Sequence, residues 1–297
     1  MARILVTGAT GFLGSYVYAF LKDAGHEVYG TTKSRPDGNI IYCNIEDRSS
    51  VKFMVRSVNP DIIVHCAAIS SVTSSSGKEY YLSNTIGTEN ILKATEECKG
   101  RVRFVFISTA GVYGNQDSDC LSEKLCPRPV HHYGMSKFCA ERLVINYSEF
   151  IDYTIIRPFN IIGYGQNKEF IVPKLACAFS RRDPSIKLGN IDVYRDYIDI
   201  SEATNIINCI IFSEKSYGET VNMCTGIPIS LKELLSIFKS LTGHDIKIEI
   251  APEFLRKNEV WRLIGDATKL NNIIDGTISS LSIEDSIKNI ISAYENK

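Results

Sequence analysis

Tyr133 and Lys137 stand four residues apart in His131-His132-Tyr133-Gly134-Met135-Ser136-Lys137. On a helix that spacing puts a phenol and an ammonium on one face. A phenol ordinarily titrates near ~10, and an adjacent positive charge favours its ionised form. A tyrosine so placed can exchange a proton with a carbonyl or hydroxyl oxygen while a hydride moves. Most Y-x-x-x-K pairs are surface pairs, so the meaning of this one depends on what the rest of the chain offers. Two hydroxyls, Ser108 and Thr109, end the apolar run that begins at Arg103. A glycine-rich turn, Gly8-Ala9-Thr10-Gly11-Phe12-Leu13-Gly14, directly follows another apolar run, Arg3 to Thr7. A buried strand that ends in such a turn and opens into a helix is a phosphate-binding device. Its glycines let the backbone approach the ligand, and the helix N-terminus supplies free N–H groups.

The elements that must position these groups alternate. Helical spacing of Phe12, Leu13, Tyr16, Val17, Phe20 and Leu21 ends at Gly25. Strands are expected at His26–Gly30, Ile40–Ile45, Asp61–Ala68, Arg103–Thr109 and Tyr153–Arg157, and helices at Val51–Val58, Glu79–Cys98 and from Tyr133 onward. A hydroxyl-rich loop is expected from Ser70 to Ser76. This rhythm predicts an α/β fold, a Rossmann-type doubly wound parallel sheet with ligands beyond the carboxyl ends of its strands. The expected division is a dinucleotide-binding domain of residues 1–160, rejoined by about 187–225, and a smaller C-terminal α/β substrate lobe of about 161–186 and 226–297.

The second strand is followed by Thr31-Thr32-Lys33-Ser34-Arg35, which has two cations and no acid. An acid there would bind the ribose of NAD, so this stretch favours NADPH over NADH. Asn44, after the third strand, is placed to meet the adenine. The formal charge of −1 over 297 residues argues against nucleic acid or an anionic membrane as partner. No apolar stretch is long enough to span a bilayer, and a cytoplasmic location is expected. Nine scattered cysteines without a C-x-x-C pair suggest reduced thiols, and no metal site is expected.

Taken together, the glycine turn, Ala67-Ala68, Asn84, Ser108-Thr109-Ala110-Gly111-Val112-Tyr113-Gly114, Tyr133-x-x-x-Lys137 and Arg157-Pro158-Phe159-Asn160 resemble the extended short-chain dehydrogenase/reductase family, in its nucleotide-sugar branch. The resemblance implies Thr109, Tyr133 and Lys137 as catalytic residues. Tyr133 would be the acid/base, and Lys137 would lower its pKa and hold the nicotinamide ribose. It implies a cofactor lining of Gly8, Thr10, Gly11, Phe12, Leu13, Thr32, Lys33, Arg35, Asn44, Ile45, Cys66, Ala67, Ala68, Asn84, Tyr133, Lys137 and Pro158. Ser108, Thr109, Asn160, Arg195, Arg256 and Glu259 would meet the substrate, the arginines on its diphosphate.

Members that dehydrate sugars carry an Asp-Glu pair after the threonine. Ala110 and Gly111 stand there instead, which disfavours dehydration. Gly163-Tyr164-Gly165-Gln166 and Gly189-Asn190-Ile191-Asp192-Val193 are most similar to reductases of GDP-4-keto-6-deoxy-mannose that make GDP-rhamnose, although Tyr164 and His132 stand where the family pattern has prolines. The expected activity is NADPH-dependent reduction of a 4-keto-6-deoxy sugar nucleotide, GDP-linked by preference, in deoxysugar biosynthesis. A nucleotide-sugar 4-epimerase with tightly bound NAD stays open, as, more distantly, does a non-catalytic NADP sensor. By family analogy the protein is a homodimer through the helices of residues 79–98 and 133–150.

Overall fold

The computed structural model describes residues 2–70, 77–254, 258–276 and 281–295. The loop expected between Ser70 and Ser76 therefore lies, beyond Ser70, outside the described residues, as does Arg256.

Seven parallel strands form the main sheet. In chain order they begin β1 (Arg3–Thr7), β2 (Glu27–Thr32), β3 (Ile40–Tyr42), β4 (Ile62–His65), β5 (Val102–Ile107) and β6 (Ile151–Pro158). Short strands follow: β7 (Asn160–Ile162), β8 (Ser185–Leu188), β9 (Tyr194–Arg195) and β10 (Tyr197–Asp199). The seventh sheet strand is then β11 (Glu219–Met223), with β12 (Ile229–Ser230), β13 (Lys247–Ile250) and β14 (Arg262–Leu263) beyond it. The order across the sheet is β11-β6-β5-β4-β1-β2-β3. The chain winds outward from β1 to β3 and then returns to place β4 against β1. That reversal opens a crevice at the carboxyl ends of β1 and β4, where such folds bind ligands.

Helices cover both faces, so the central strands are mostly apolar, and successive side chains feed opposite cores. Ile4, Val6, Ile62, Val64 and Val105 pack with α1 (Phe12–Asp23) and with Ala203, Ile207 and Ile210 further along the chain. Leu5, Ile63, Phe104 and Phe106 point the other way, onto α2 (Arg48–Val58) and the Ile91-Leu92 stretch. Asp47 caps α2 by accepting from the N–H groups of Ser49 and Ser50, and Asn59 ends it in the left-handed conformation. The helix expected over Glu79–Cys98 is broken into three pieces: α3 (Gly77–Tyr80), a π-helical turn at Tyr81–Ile86, and α4 (Gly87–Thr95). Next come α5 (His132–Asn146), α6 (Ile171–Ser180), α7 (Ile200–Phe212), α8 (Leu231–Thr242), α9 (Thr268–Ile273) and α10 (Ile283–Glu295).

A separate core gathers Val172, Leu175 and Phe179 of α6, Leu234 and Phe238 of α8 and Ile287 and Ile291 of α10 beside the paired strands β8 and β13. Ser230 and Glu233 close a reciprocal capping box at the start of α8. Among the described residues no helix is long and apolar enough to cross a membrane. The nine cysteines are all free thiols.

Candidate active site

The glycine turn lies at the sheet's reversal point, and its glycines are required by contact. Gly8 has φ +67°, and a Cβ there would fall 2.8 Å from the Ala67 Cα. A Cβ on Gly14 would fall 2.2 Å from the Gly8 carbonyl oxygen, so α1 can approach the turn only without a side chain. Gly11 caps α1 with no side-chain bond, and the first turn has no acidic residue. Its leading N–H groups and positive dipole end are thus left to an anion. This cradle fits a dinucleotide pyrophosphate.

Beneath it runs a buried polar chain. The Thr7 hydroxyl accepts from the Ala67 N–H at 3.1 Å and lies 2.6 Å from His65 Nδ1. His65 Nε2 lies 2.9 Å from the Thr88 hydroxyl, which itself donates to the Asn84 carbonyl at 2.7 Å. These partners assign the proton to Nε2, with Nδ1 accepting from Thr7. Burial keeps the ring neutral, its pKa pushed down to about 3. The sequence did not mark His65 as an organiser of the crevice; a histidine ending an otherwise apolar strand was its only signal.

At the far side of the turn, the Gly8 N–H donates to the Thr31 hydroxyl at 3.1 Å, and the Thr10 and Thr32 hydroxyls are 2.9 Å apart. Thr31 and Thr32 belong to β2 and are buried, so the exposed cationic stretch begins at Lys33. Lys33 pairs with Glu46 at 2.6 Å, and Arg35 is exposed. The Asn44 carbonyl side chain accepts from the Glu46 N–H, and Ile45 is buried against Gly87. Asn84 turns its amide inward, accepting from the Ile69 N–H at 2.8 Å and donating to the Ile69 carbonyl and the Ser136 hydroxyl. It thereby brackets the segment after β4 to α5.

Thr109, Tyr133 and Lys137 converge at the end of β5. Thr109 caps a short 3-10 turn, Ala110–Val112, by accepting from the Gly111 N–H at 3.0 Å. Its hydroxyl faces the Tyr133 phenol and pulls that phenol's pKa down, against the larger effect of burial. One expectation is corrected here. Burial pushes the phenol up to about 12, and Lys137 is not among the groups acting on it. Lys137 Nζ instead lies 4.1 Å from the centroid of the Phe106 ring, and among the described residues it has no hydrogen-bond or ion-pair partner. Burial lowers its pKa to about 7, opposed by the negative charge of Glu141. Desolvation therefore outweighs the helical proximity from which the opposite shift was expected. Ser108, expected beside the substrate, donates to the buried Glu141 carboxylate at 2.5 Å. Pro158 is buried at the end of β6.

On the substrate side, Asn160 donates through both its backbone N–H and its Nδ2 to the Asp196 carbonyl. The buried Asp196 carboxylate accepts from the N–H groups of Thr225, Gly226 and Gly265 and from the Thr225 hydroxyl. Burial pushes this carboxyl upward against those four donors. Arg195 lies 3.5 Å from the Glu259 carboxylate, both side chains mostly buried. Asn115, two residues beyond Tyr113, donates to the Glu259 carbonyl at 3.0 Å and so brings that pair toward the β5 end. The open grooves of about 360 Å³ beside Tyr164, Arg181 and Tyr294 and about 450 Å³ beside Asp117, Asp119 and Trp261 are not lined by the Thr109–Tyr133–Lys137 group.

This geometry has counterparts among known proteins. The family model of the NAD dependent epimerase/dehydratase family matches residues 4–224. A GDP-6-deoxy-D-talose 4-dehydrogenase of Aggregatibacter actinomycetemcomitans is 38% identical over 274 residues, 92% of this chain and 91% of that protein. A GDP-6-deoxy-D-mannose reductase of Pseudomonas aeruginosa is 26% identical over 306 residues, 99% and 98% of the two chains. The structure of RMD from Pseudomonas aeruginosa complexed with NADPH superposes with a TM-score of 0.88 at 24% identity, covering 100% of this chain and 99% of that one, and shares the fold. With its glycine cradle at the sheet reversal and its Thr-Tyr-Lys group at the end of β5, the chain belongs to the NAD dependent epimerase/dehydratase family.

Proposed function

We propose that the protein is an NADPH-dependent reductase of the 4-keto group of a nucleotide-linked 4-keto-6-deoxy sugar, GDP-linked by preference. The observation that carries this reading is the Thr109–Tyr133 pair at the strand end, flanked by Ala110 and Gly111, which offer no acid or base for elimination. The Gly8 to Leu13 turn would hold the cofactor pyrophosphate, with Thr32, Lys33 and Arg35 at the 2′-phosphate. A cofactor bound there would supply the hydride that sugar C4 accepts. The C4–O π electrons move to oxygen, and Tyr133 delivers its phenolic proton to that oxygen while Thr109 hydrogen-bonds it. A phenol held near 12 is protonated at neutral pH. The developing alkoxide is more basic still, so the transfer runs downhill. Lys137 would hold the nicotinamide ribose, and Asn160 and Arg195, with Glu259, the sugar nucleotide.

The two GDP-deoxysugar relatives support this class, and they differ in the deoxysugar, 6-deoxy-talose or 6-deoxy-mannose, which are C4 epimers. The test is NADPH oxidation with GDP-4-keto-6-deoxy-mannose, followed by NMR of the product's C4 configuration. Absence of NADPH or NADH consumption with every 4-keto-6-deoxy nucleotide would sink the reading. The Lys33–Glu46 ion pair favours a second reading, because it ties up one of the two cations on which NADPH preference rests. In that reading the protein is a 4-epimerase that keeps NAD bound, and the same assay would show C4 inversion of a nucleotide sugar without net cofactor turnover. For the homodimer, Leu82, Ile86 and Met135 are exposed on the π-helical turn and α5 and would supply an apolar contact face; light scattering of the purified chain tests it.

A further inference from the structure

Glu141 follows Lys137 by one helical turn on α5 and is 2% exposed. Its Oε1 accepts from the Ser108 hydroxyl at 2.5 Å and from Arg157 Nε at 3.0 Å, and its Oε2 accepts from Arg157 Nη2 at 2.7 Å. Arg157 is itself buried on β6, with its guanidinium 4.9 Å from the Tyr113 ring centroid. The Tyr113 hydroxyl donates to Asn222 on β11 at 2.7 Å, and the Asn222 amide donates to the Leu121 carbonyl. One carboxylate therefore ties together the three pieces of chain that make the site: the end of β5 that carries Thr109, the helix that carries Tyr133 and Lys137, and the end of β6 that leads to Asn160.

Burying an ion pair this deeply is weak evidence for a gain in stability, since desolvation of two charges offsets their attraction. The network is also incomplete, because Arg157 Nη1 is buried without a hydrogen-bond partner. A role in setting geometry and charge explains its place better. The groups facing Lys137 are the neutral His65 and the Cys66 thiol from the end of β4, the Phe106 ring from β5, and Glu141 on its own helix. Among the described residues Glu141 is the one carboxylate acting on it.

We propose that Glu141, clamped by Arg157 and Ser108, is a positioning residue that fixes the Thr109 end of β5 against α5 and supplies the counter-charge that favours the ammonium form of Lys137. It touches neither substrate nor cofactor in this role. The inference rests on the reading of Lys137 as functional, and the readout is chosen to be separable from turnover. In the full chain labelled with 13C-lysine, the Lys137 Cε resonance, assigned by its loss in Lys137→Arg, is titrated without cofactor or substrate. Glu141→Gln removes the charge at nearly constant shape. Its titration midpoint falls by about one pH unit or more, because the buried Arg157 cation is then uncompensated. Ser108→Ala cuts the mechanical tie while leaving the charge, so the midpoint stays and kcat falls several-fold with cofactor affinity unchanged.

In turnover, the basic limb of the kcat profile moves down with Glu141→Gln and stays in place with Ser108→Ala. A purely structural Glu141 would lower activity at all pH values and leave both the midpoint and the limb where they are. That result overturns the charge role, and an unchanged kcat in Ser108→Ala overturns the mechanical one. Where Glu141→Gln does not fold, Glu141→Gln with Arg157→Met removes both charges. Its midpoint falls between those of wild type and an unpaired cation, and a midpoint at the wild-type value again overturns the proposal. A shifted midpoint in a chain that turns over no sugar nucleotide would reject the reaction and leave the positioning role standing.

Discussion

Arg103 and Lys137 are buried cations at opposite ends of β5, 5% and 1% exposed, and the chain treats them differently. Arg103 is surrounded by acceptors. It donates to the carbonyls of Asp152, Ile210 and Ile211 and to the hydroxyls of Thr154 and Ser216, and it lies 4.4 Å from the Tyr217 ring centroid. Two of those carbonyls belong to the last turn of α7, whose final C=O groups have no partner within the helix. Burial still lowers its pKa to about 10, and it stays charged. Lys137 is given an aromatic ring and no acceptor among the described residues. A buried cation costs several kcal/mol unless hydrogen bonds replace its water. At the amino end of the strand the chain replaces that water itself, and at the carboxyl end it leaves the replacement to a ligand. Satisfaction of buried charge thus separates the supporting end of the sheet from the working end.

The largest effect that would break this contrast is on turnover. Lys137→Met should lower kcat by about a hundredfold or more while leaving thermal stability unchanged or raised, as measured by NADPH oxidation and by unfolding of the same preparation. A fall in stability would make Lys137 a structural cation like Arg103. Arg103→Met should do the reverse, costing roughly 3 kcal/mol in denaturant unfolding by stranding five acceptors, with kcat per folded molecule within about twofold of wild type.

The pH dependence of stability sharpens the comparison further. Lys137 titrates near 7 when folded against an ordinary 10.5, so between those values the unfolded chain holds the extra proton and stability rises with pH. His65, at about 3 against 6.5, likewise makes stability fall as pH drops through that lower window. Unfolding of wild type and Lys137→Met across pH 7 to 10.5 should diverge by up to about 1.4 kcal/mol per pH unit, wild type being relatively weaker at the low end. The smallest effect belongs to a cation that water already satisfies. Lys33→Ala breaks an ion pair whose partners are 51% and 32% exposed, and Tm should move by under about 2 °C, less at high salt.

The sheet was legible because its signals are local. An apolar run, a glycine turn and a helical stripe are each complete within about a dozen residues, and six such runs in alternation leave few topologies, although the seventh sheet strand, β11, was not among them. Tyr133 and Lys137 were found the same way. What stayed hidden depends on partners far along the chain. His65 takes its meaning from Thr7 and Thr88, Glu141 from Ser108 and Arg157, and Arg103 from carbonyls more than a hundred residues away. The one available signal was composition, since Arg103 and Arg157 interrupt strands that are otherwise apolar. Proximity along α5 even gave the wrong sign for the Tyr133 phenol, because spacing reports which groups are neighbours and not how much water they keep. The π-helical turn at Tyr81–Ile86 has no counterpart in side-chain periodicity and was absorbed into one long helix.

Asp196 has a consequence for the order in which the molecule is completed. Its carboxylate and carbonyl gather Asn160, Thr225, Gly226 and Gly265, four places spread over more than a hundred residues. During synthesis the glycine turn, β1 to β5 and the Tyr133 helix have all emerged before any of those last three donors exists. The glycine turn thus precedes its substrate side along the chain, and α7 must also follow before the Ile4, Val6 and Val64 face is covered. The Asp196 carboxylate is fully satisfied only once the Gly265 N–H is available, so the substrate side depends on residues far downstream of the glycine turn.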